Sequence, residues 1–218
     1  MEKIEWIKTK LNMDSVDWNG NPIHLVDVPA LKNSRTGKVR IYPSDVAQAE
    51  FRMRAKKYNL EPRDIALLSL LYAKPGPFQE GQVHFKYHLN KMLFYQWKEM
   101  GELGLDEAYP HDEFEAFPRG PVPKNIDQDL ERLNSLGLIT QIYVQWGKGD
   151  KDASMKTELT EKSNAIIEEI WKESPDLFKE ATLKVKEQIF PLDPKTVQKR
   201  VHRDYPEYQK TYIKIDTD

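Results

Sequence analysis

Phe114-Glu-Ala-Phe-Pro-Arg-Gly-Pro-Val-Pro-Lys-Asn-Ile-Asp-Gln-Asp-Leu-Glu-Arg-Leu-Asn-Ser-Leu-Gly-Leu-Ile139 carries the strongest structural signal in the chain. Ile126, Leu130 and Leu133 recur at helical spacing on one face. Gly137 stands where a helix end favours a left-handed residue. Leu138 to Trp146 then turns to strand-forming residues, Gly147 to Ser154 is polar and glycine-containing, and Met155 to Leu159 reads as a second short strand. The order is helix, strand, charged tip, strand.

That order is the second half of a winged helix-turn-helix. The expected fold class is therefore α+β, mostly helical. It comprises a winged helix-turn-helix core, an N-terminal β-ribbon and helix extension, and C-terminal helices. The expected divisions are 1–60 for the β-ribbon and basic helix, 61–160 for the winged helix-turn-helix and 161–218 for the C-terminal helices.

Outward from this core, Glu2 to Leu11 reads as a short amphipathic helix with Ile4, Ile7 and Leu11 on one side. Asn19-Gly20-Asn21-Pro22 is a turn signal. Ile23 to Val28 and Lys38 to Tyr42 read as strands joined by a Pro29 to Gly37 loop. Pro43-Ser44-Asp45 opens a helix with the stripe Ala47, Phe51, Ala55 and Tyr58, its other faces carrying Arg52, Arg54, Lys56 and Lys57. After Glu61-Pro62, Ile65, Leu67, Leu68, Leu70 and Leu71 predict a buried helix. A long helix is expected from about Val83 to Gly101, with Phe85, Leu89, Met92, Leu93 and Trp97 in the core. Thr160, Ser174-Pro175 and Asp193-Pro194 read as the starts of three further helices.

Composition narrows the function classes. Cysteine is absent from the 218 residues, which excludes disulfides, thiol nucleophiles and thiolate metal sites and suits a reducing cytoplasm. No apolar run reaches the length of a membrane span, and the acidic, mixed start is unlike a secretion signal. The net charge of -2 gives no overall field toward nucleic acid, but it hides a segregation. Lys32 to Arg63 holds nine Lys/Arg against three acids, whereas Glu99 to Ser135 holds ten acids against Arg119, Lys124 and Arg132.

Two regions are candidates for DNA. The third helix offers Lys124, Asn125, Gln128, Arg132 and Asn134, with Lys148 and Lys151 on the wing, but Asp127, Asp129, Glu131, Asp150 and Asp152 stand beside them. Acids next to a polyanion oppose binding that depends on phosphate neutralisation. The N-terminal cluster of Lys38, Arg40, Arg52, Arg54, Lys56 and Lys57 is the better electrostatic candidate. A ribbon with Lys38, Arg40 and Tyr42 on one face, Val39 and Ile41 inward, suits a major groove or a phosphate track. The plain alternative is a solvated basic face, or one neutralised by the acidic region.

His84 and His88 stand four apart, a metal-binding spacing on a helix. No glutamate of a zinc hydrolase lies between them, and the possible outside partner, His111-Asp112-Glu113, falls in an irregular stretch, so no metal and no cofactor are assigned. Phosphate loop, dinucleotide fingerprint and nucleophile elbow are all absent, and nothing points to an enzyme.

Residues from about Arg63 to Tyr208 resemble an uncharacterised prokaryotic winged-helix group, distantly similar to the Panacea-domain antitoxins. The resemblance rests on Ile65-Ala-Leu-Leu-Ser-Leu-Leu-Tyr72, on Lys86-Tyr-His-Leu-Asn-Lys-Met-Leu-Phe94, and on Phe117-Pro-Arg-Gly-Pro-Val122 before a helix ending Leu136-Gly-Leu-Ile139. Leu159-Thr-Glu-Lys162 and Tyr205-Pro-Glu-Tyr208 extend it. It implies transcription control or protein neutralisation and supplies no catalytic residues. The first 60 residues fall outside it and look faintly like a ribbon-helix-helix unit.

The expectation is a cytoplasmic, non-enzymatic regulator that binds double-stranded DNA as a homodimer through its C-terminal helices. The alternative is a protein-interaction module of antitoxin or adaptor type, docking a basic protein partner on the acidic Leu103 to Phe117 segment.

Overall fold

Strand β1 (Trp6–Val16) pairs antiparallel with β2 (Pro22–Asn33), and β3 (Val39–Arg40) pairs with the end of β2. The computed structural model describes residues 5–17, 20–74, 84–102, 113–145 and 153–209. The helix expected over Glu2 to Leu11 is thus a strand from Trp6 onward. Its pattern also fits a period of two: Thr9, Leu11, Met13 and Ser15 are half-buried, while Lys8, Lys10, Asn12 and Asp14 are exposed. The strand wins because Val28 and Leu25 stand opposite Leu11 and Met13, whereas an isolated helix of that length is marginal.

The loop expected from Pro29 shrinks to the Asn33–Gly37 turn, where Asn33 Oδ1 accepts from the N–H groups of Arg35 and Thr36. β3 stops before Tyr42 because that residue caps the next helix, donating its N–H to the Asp45 carboxylate at 2.9 Å. This helix, α1 (Pro43–Lys57), lies on the sheet. Ala49 joins Leu25 and Val28 in a small core, while Phe51 and Ala55 enter the main one.

The main body begins with α2 (Pro62–Tyr72), in which Ile65 to Leu70 are fully buried as expected. Next come β4 (His84–Phe85), α3 (Lys86–Glu102), β5 (Phe114–Glu115), β6 (Val122–Pro123), α4 (Ile126–Ser135), β7 (Ile139–Gln145) and β8 (Ala153–Leu159). Then α5 (Glu161–Glu173), α6 (Asp176–Ile189) and α7 (Pro194–Asp204) follow. Among the described residues the architecture is α+β, with seven α-helices and three small antiparallel sheets ordered β1-β2-β3, β4-β8-β7 and β5-β6. α3 starts later than the periodicity implied, because Phe85 pairs with Lys156 in a sheet.

α4 follows its pattern: Ile126, Leu130 and Leu133 are 2%, 1% and 0% exposed. Gly137 has φ 69°, and the Leu138 N–H reaches back to the Leu133 carbonyl at 2.9 Å, closing the helix end. Thr160 and Asp193 cap α5 and α7 through their side chains. Ser174 does not cap α6. Its Oγ bonds back to the Ile170 carbonyl, and Pro175 takes the cap position.

Ile167, Ile170, Phe178, Val185 and Ile189 are all within 2% of full burial in the chain's own core. The apolar faces of α5 and α6, expected to meet a second copy, are used internally. Two lysines are buried as well. Lys91 donates to the Pro121 carbonyl at 2.6 Å, and Lys186 donates to the carbonyls of Ala73 and Leu71 at the end of α2. Loss of hydration pushes both ammonium groups down to about 7.

Candidate nucleic-acid interface

The basic cluster divides once the chain folds. Arg54 does not lie on an open helix face; it is 6% exposed. Its guanidinium donates to Glu50 at 3.0 Å and to Glu173 at 2.7 Å, with Asp17 at 3.9 Å. Lys57 pairs with Glu169 at 2.8 Å, a bond that raises the lysine pKa and lowers that of the glutamate. Arg52 donates to the Asp27 carbonyl at 3.3 Å, and Lys56 is exposed. Of the acids that neutralise this side of α1, Glu169 and Glu173 come from α5, far along the sequence, while Glu50 lies one turn before Arg54 and Asp17 follows β1.

The sheet behaves differently. In register, Lys8, Leu31 and Arg40 stand side by side across β1, β2 and β3, with Lys10 opposite Pro29 on the same face. Arg40 lies 4.6 Å over the Trp6 ring. Among the described residues Lys8, Lys10 and Lys38 have no carboxylate within salt-bridge distance, and all three are exposed. A groove of about 580 Å³ lies between the start of α1 and the sheet, bordered by Lys8, Lys10, Ala30, Tyr42, Gln48 and the carboxylate-bearing Asp45. Lys8 and Lys10 were missed because the segment reads as a helix at period 3.6. The alternation from Ile7 to Asp14 was the available signal.

The third helix is used differently from the expectation. Arg132 forms an ion pair with fully buried Asp64, so it is held against α2. Asp129, 2% exposed, meets Arg63 at 3.2 Å and Arg132 at 3.9 Å. Arg63 also contacts Glu61 at 2.8 Å and Glu113 at 3.6 Å. What α4 presents to solvent is Asp127, Gln128, Glu131 and Asn134, with Lys124 before it and Asn125 half-buried. Asp127 pairs with Lys86. Lys148, Lys151, Asp150 and Asp152 lie outside the described residues.

Burial pushes the Asp129 carboxyl up from 3.8 to about 6, against the pull of Arg63. Between about pH 4 and pH 6 the folded carboxyl keeps a proton that the unfolded one has lost. Its contribution to stability therefore falls as pH rises through that window. Asp129→Asn is expected to remove this component, on the order of 1 kcal/mol after screening. Urea denaturation of both proteins at pH 4.5 and 7 checks it: the wild-type-minus-variant difference must shrink toward the higher pH.

The histidine pair is not an i, i+4 helical pair, since His84 lies in β4 and α3 begins at Lys86. His88 bonds the Leu192 carbonyl through Nε2 at 2.7 Å. No group of three metal-capable side chains occurs among the described residues, and His111 lies outside them. No helix among the described residues is long and apolar enough to cross a membrane. No family model matches the sequence, and no curated protein matches it either.

Proposed function

We propose that the chain is a non-enzymatic DNA-binding protein, acting in transcription control on a winged-helix scaffold. The element order α2-β4-α3-α4-β7-β8, with the sheet ordered β4-β8-β7, supports the scaffold. In a winged helix the short first strand pairs with the last, and the last two strands flank the wing. The observation that carries DNA contact is the open face of the N-terminal sheet, where Lys8, Lys10 and Arg40 gather beside Trp6. A ribbon of this kind enters a major groove or lies along phosphates, and each lysine or arginine there releases a counterion.

Replacing Lys10, Lys38 and Arg40 together by Ala is the test. Affinity for duplex DNA at 0.1 M salt is expected to fall by about one to two orders of magnitude. The slope of log affinity against log salt should shrink by about 2.7. Fluorescence anisotropy with labelled genomic fragments at several salt concentrations reads both. Lys124→Ala/Gln128→Ala serves as the comparison. Should that variant lose binding while the sheet variant keeps affinity and slope, α4 reads the groove and the present assignment is wrong.

A second reading draws on α4. Its solvent face carries Asp127 and Glu131, and its one arginine turns inward. Such a face suits a basic protein partner, in the manner of an antitoxin or adaptor. Absence of any duplex binding at low salt makes this the leading reading.

A further inference from the structure

We infer that β1 is a self-complementary edge through which two copies of the chain join their N-terminal sheets. β1 is an edge strand of 11 residues, and among the described residues β2 is its sole hydrogen-bonded neighbour. Among the described residues nothing else pairs with this edge, about 37 Å long at roughly 3.4 Å per residue, so the N–H and C=O groups of alternate residues point outward toward a partner strand. α1 covers the inner sheet face along β2, and the buried faces of α5 and α6 pack into the chain's own core, leaving Leu177 as the large apolar side chain of α6 that is exposed.

The occupant follows from the sequence of the strand itself. A two-fold axis perpendicular to the sheet pairs antiparallel strands so that each face continues across the join. With the axis at Leu11, every residue of β1 finds an opposite. Trp6 meets Val16, Lys8 meets Asp14 and Lys10 meets Asn12 on the outer face. Ile7 meets Ser15, Thr9 meets Met13, and Leu11 meets Leu11 on the inner face. The match disposes of the exposed groups at both strand ends. Trp6 is 38% exposed and Val16 60%; the Asp14 side chain is 93% exposed, with one carboxylate oxygen on His24 Nδ1 at 2.8 Å and the other open toward the join. Opposite charges and apolar pairs directly across strands are stabilising, and like charges are not. Moving the axis to Lys10 sets two ammonium groups opposite each other, and moving it to Asn12 leaves Trp6 beyond the pairing. The inner-face pairs extend the small core of Leu25, Val28 and Met13 across the axis. The product is one continuous sheet of six strands, ordered β3-β2-β1 in one copy and the reverse in the other.

This inference does not rest on DNA binding, and its test uses no nucleic acid. The chain has no cysteine, so Leu11→Cys introduces the sole thiol. Residues opposite each other at the axis have Cα atoms about 4.5–5.5 Å apart, within disulfide range. The expected result is a wild-type dimer by sedimentation at micromolar concentration, and rapid oxidation of Leu11→Cys to a covalent dimer. Val26→Cys, exposed on β2, should not cross-link. Lys8→Asp should weaken the dimer about ten-fold, and Lys8→Asp/Asp14→Lys should recover most of it, because the charge pair is restored in reverse. The swap keeps the proposal testable if Leu11→Cys disturbs the fold. A monomeric wild type at 100 µM (about the weakest association a specific dimer would show) overturns the inference. So does a dimer in which Leu11→Cys reacts no faster than Val26→Cys, or one that Lys8→Asp leaves unchanged, since association then uses another surface.

Discussion

Arg54→Ala is expected to destabilise the protein by about 3–5 kcal/mol, the cost typical of breaking a buried ion pair from one side. Glu50 is 1% exposed and faces Arg54 at 3.0 Å, so the substitution removes the guanidinium from beside a carboxylate in the interior. Urea denaturation followed by circular dichroism at pH 7 measures the effect. Arg54→Met/Glu50→Leu should recover much of the loss, because an apolar pair of similar volume removes both desolvation costs. A loss below about 1 kcal/mol would place Arg54 in solvent, where the sequence pattern had set it as a DNA contact. The result thus separates a residue that holds α1 to α5 from one that meets phosphate. DNA affinity of the refolded double variant should be unchanged within about two-fold, because neither side chain lies on the sheet face.

Phe94→Ala should cost a similar 3–5 kcal/mol. Phe94 is fully buried, and its ring lies 4.8 Å from Tyr208, 4.9 Å from Tyr205, 5.3 Å from Phe114 and 5.8 Å from Trp97. Edge-to-face contacts with Phe114 and with Tyr205 and Tyr208, from two other segments, meet at this position, so truncation opens a cavity that no single neighbour can fill. A thermal melt should show a drop in Tm of roughly 10 °C. Retention of the wild-type Tm would mean that the C-terminal Tyr205 and Tyr208 do not close over α3.

Much of the main body was legible beforehand. Ile126, Leu130 and Leu133 repeat within two turns, Gly137 ends the helix, and Thr160 and Asp193 cap their neighbours through bonds to groups two or three residues away. Signals of that range depend on backbone geometry and short contacts, which the residues carry with them. The N-terminal strand shows where this runs out. Ile7 and Leu11 fit both periods, and the choice depended on Leu25 and Val28 of β2 standing opposite.

Charge was harder still. Lys38, Arg40, Arg52, Arg54, Lys56 and Lys57 form one cluster when counted along the chain, yet Arg54 meets Glu173 across 119 positions and Lys57 meets Glu169 across 112. Arg132 meets Asp64 across 68. Coulomb attraction and desolvation depend on separation in space and on what excludes water, and neither is written in the spacing of residues. The α4 pattern, its Gly137 end and the Thr160 and Asp193 caps were therefore set by the amino acids locally. Which basic side chains stay open to solvent, and which edge stays unpaired, followed only from packing.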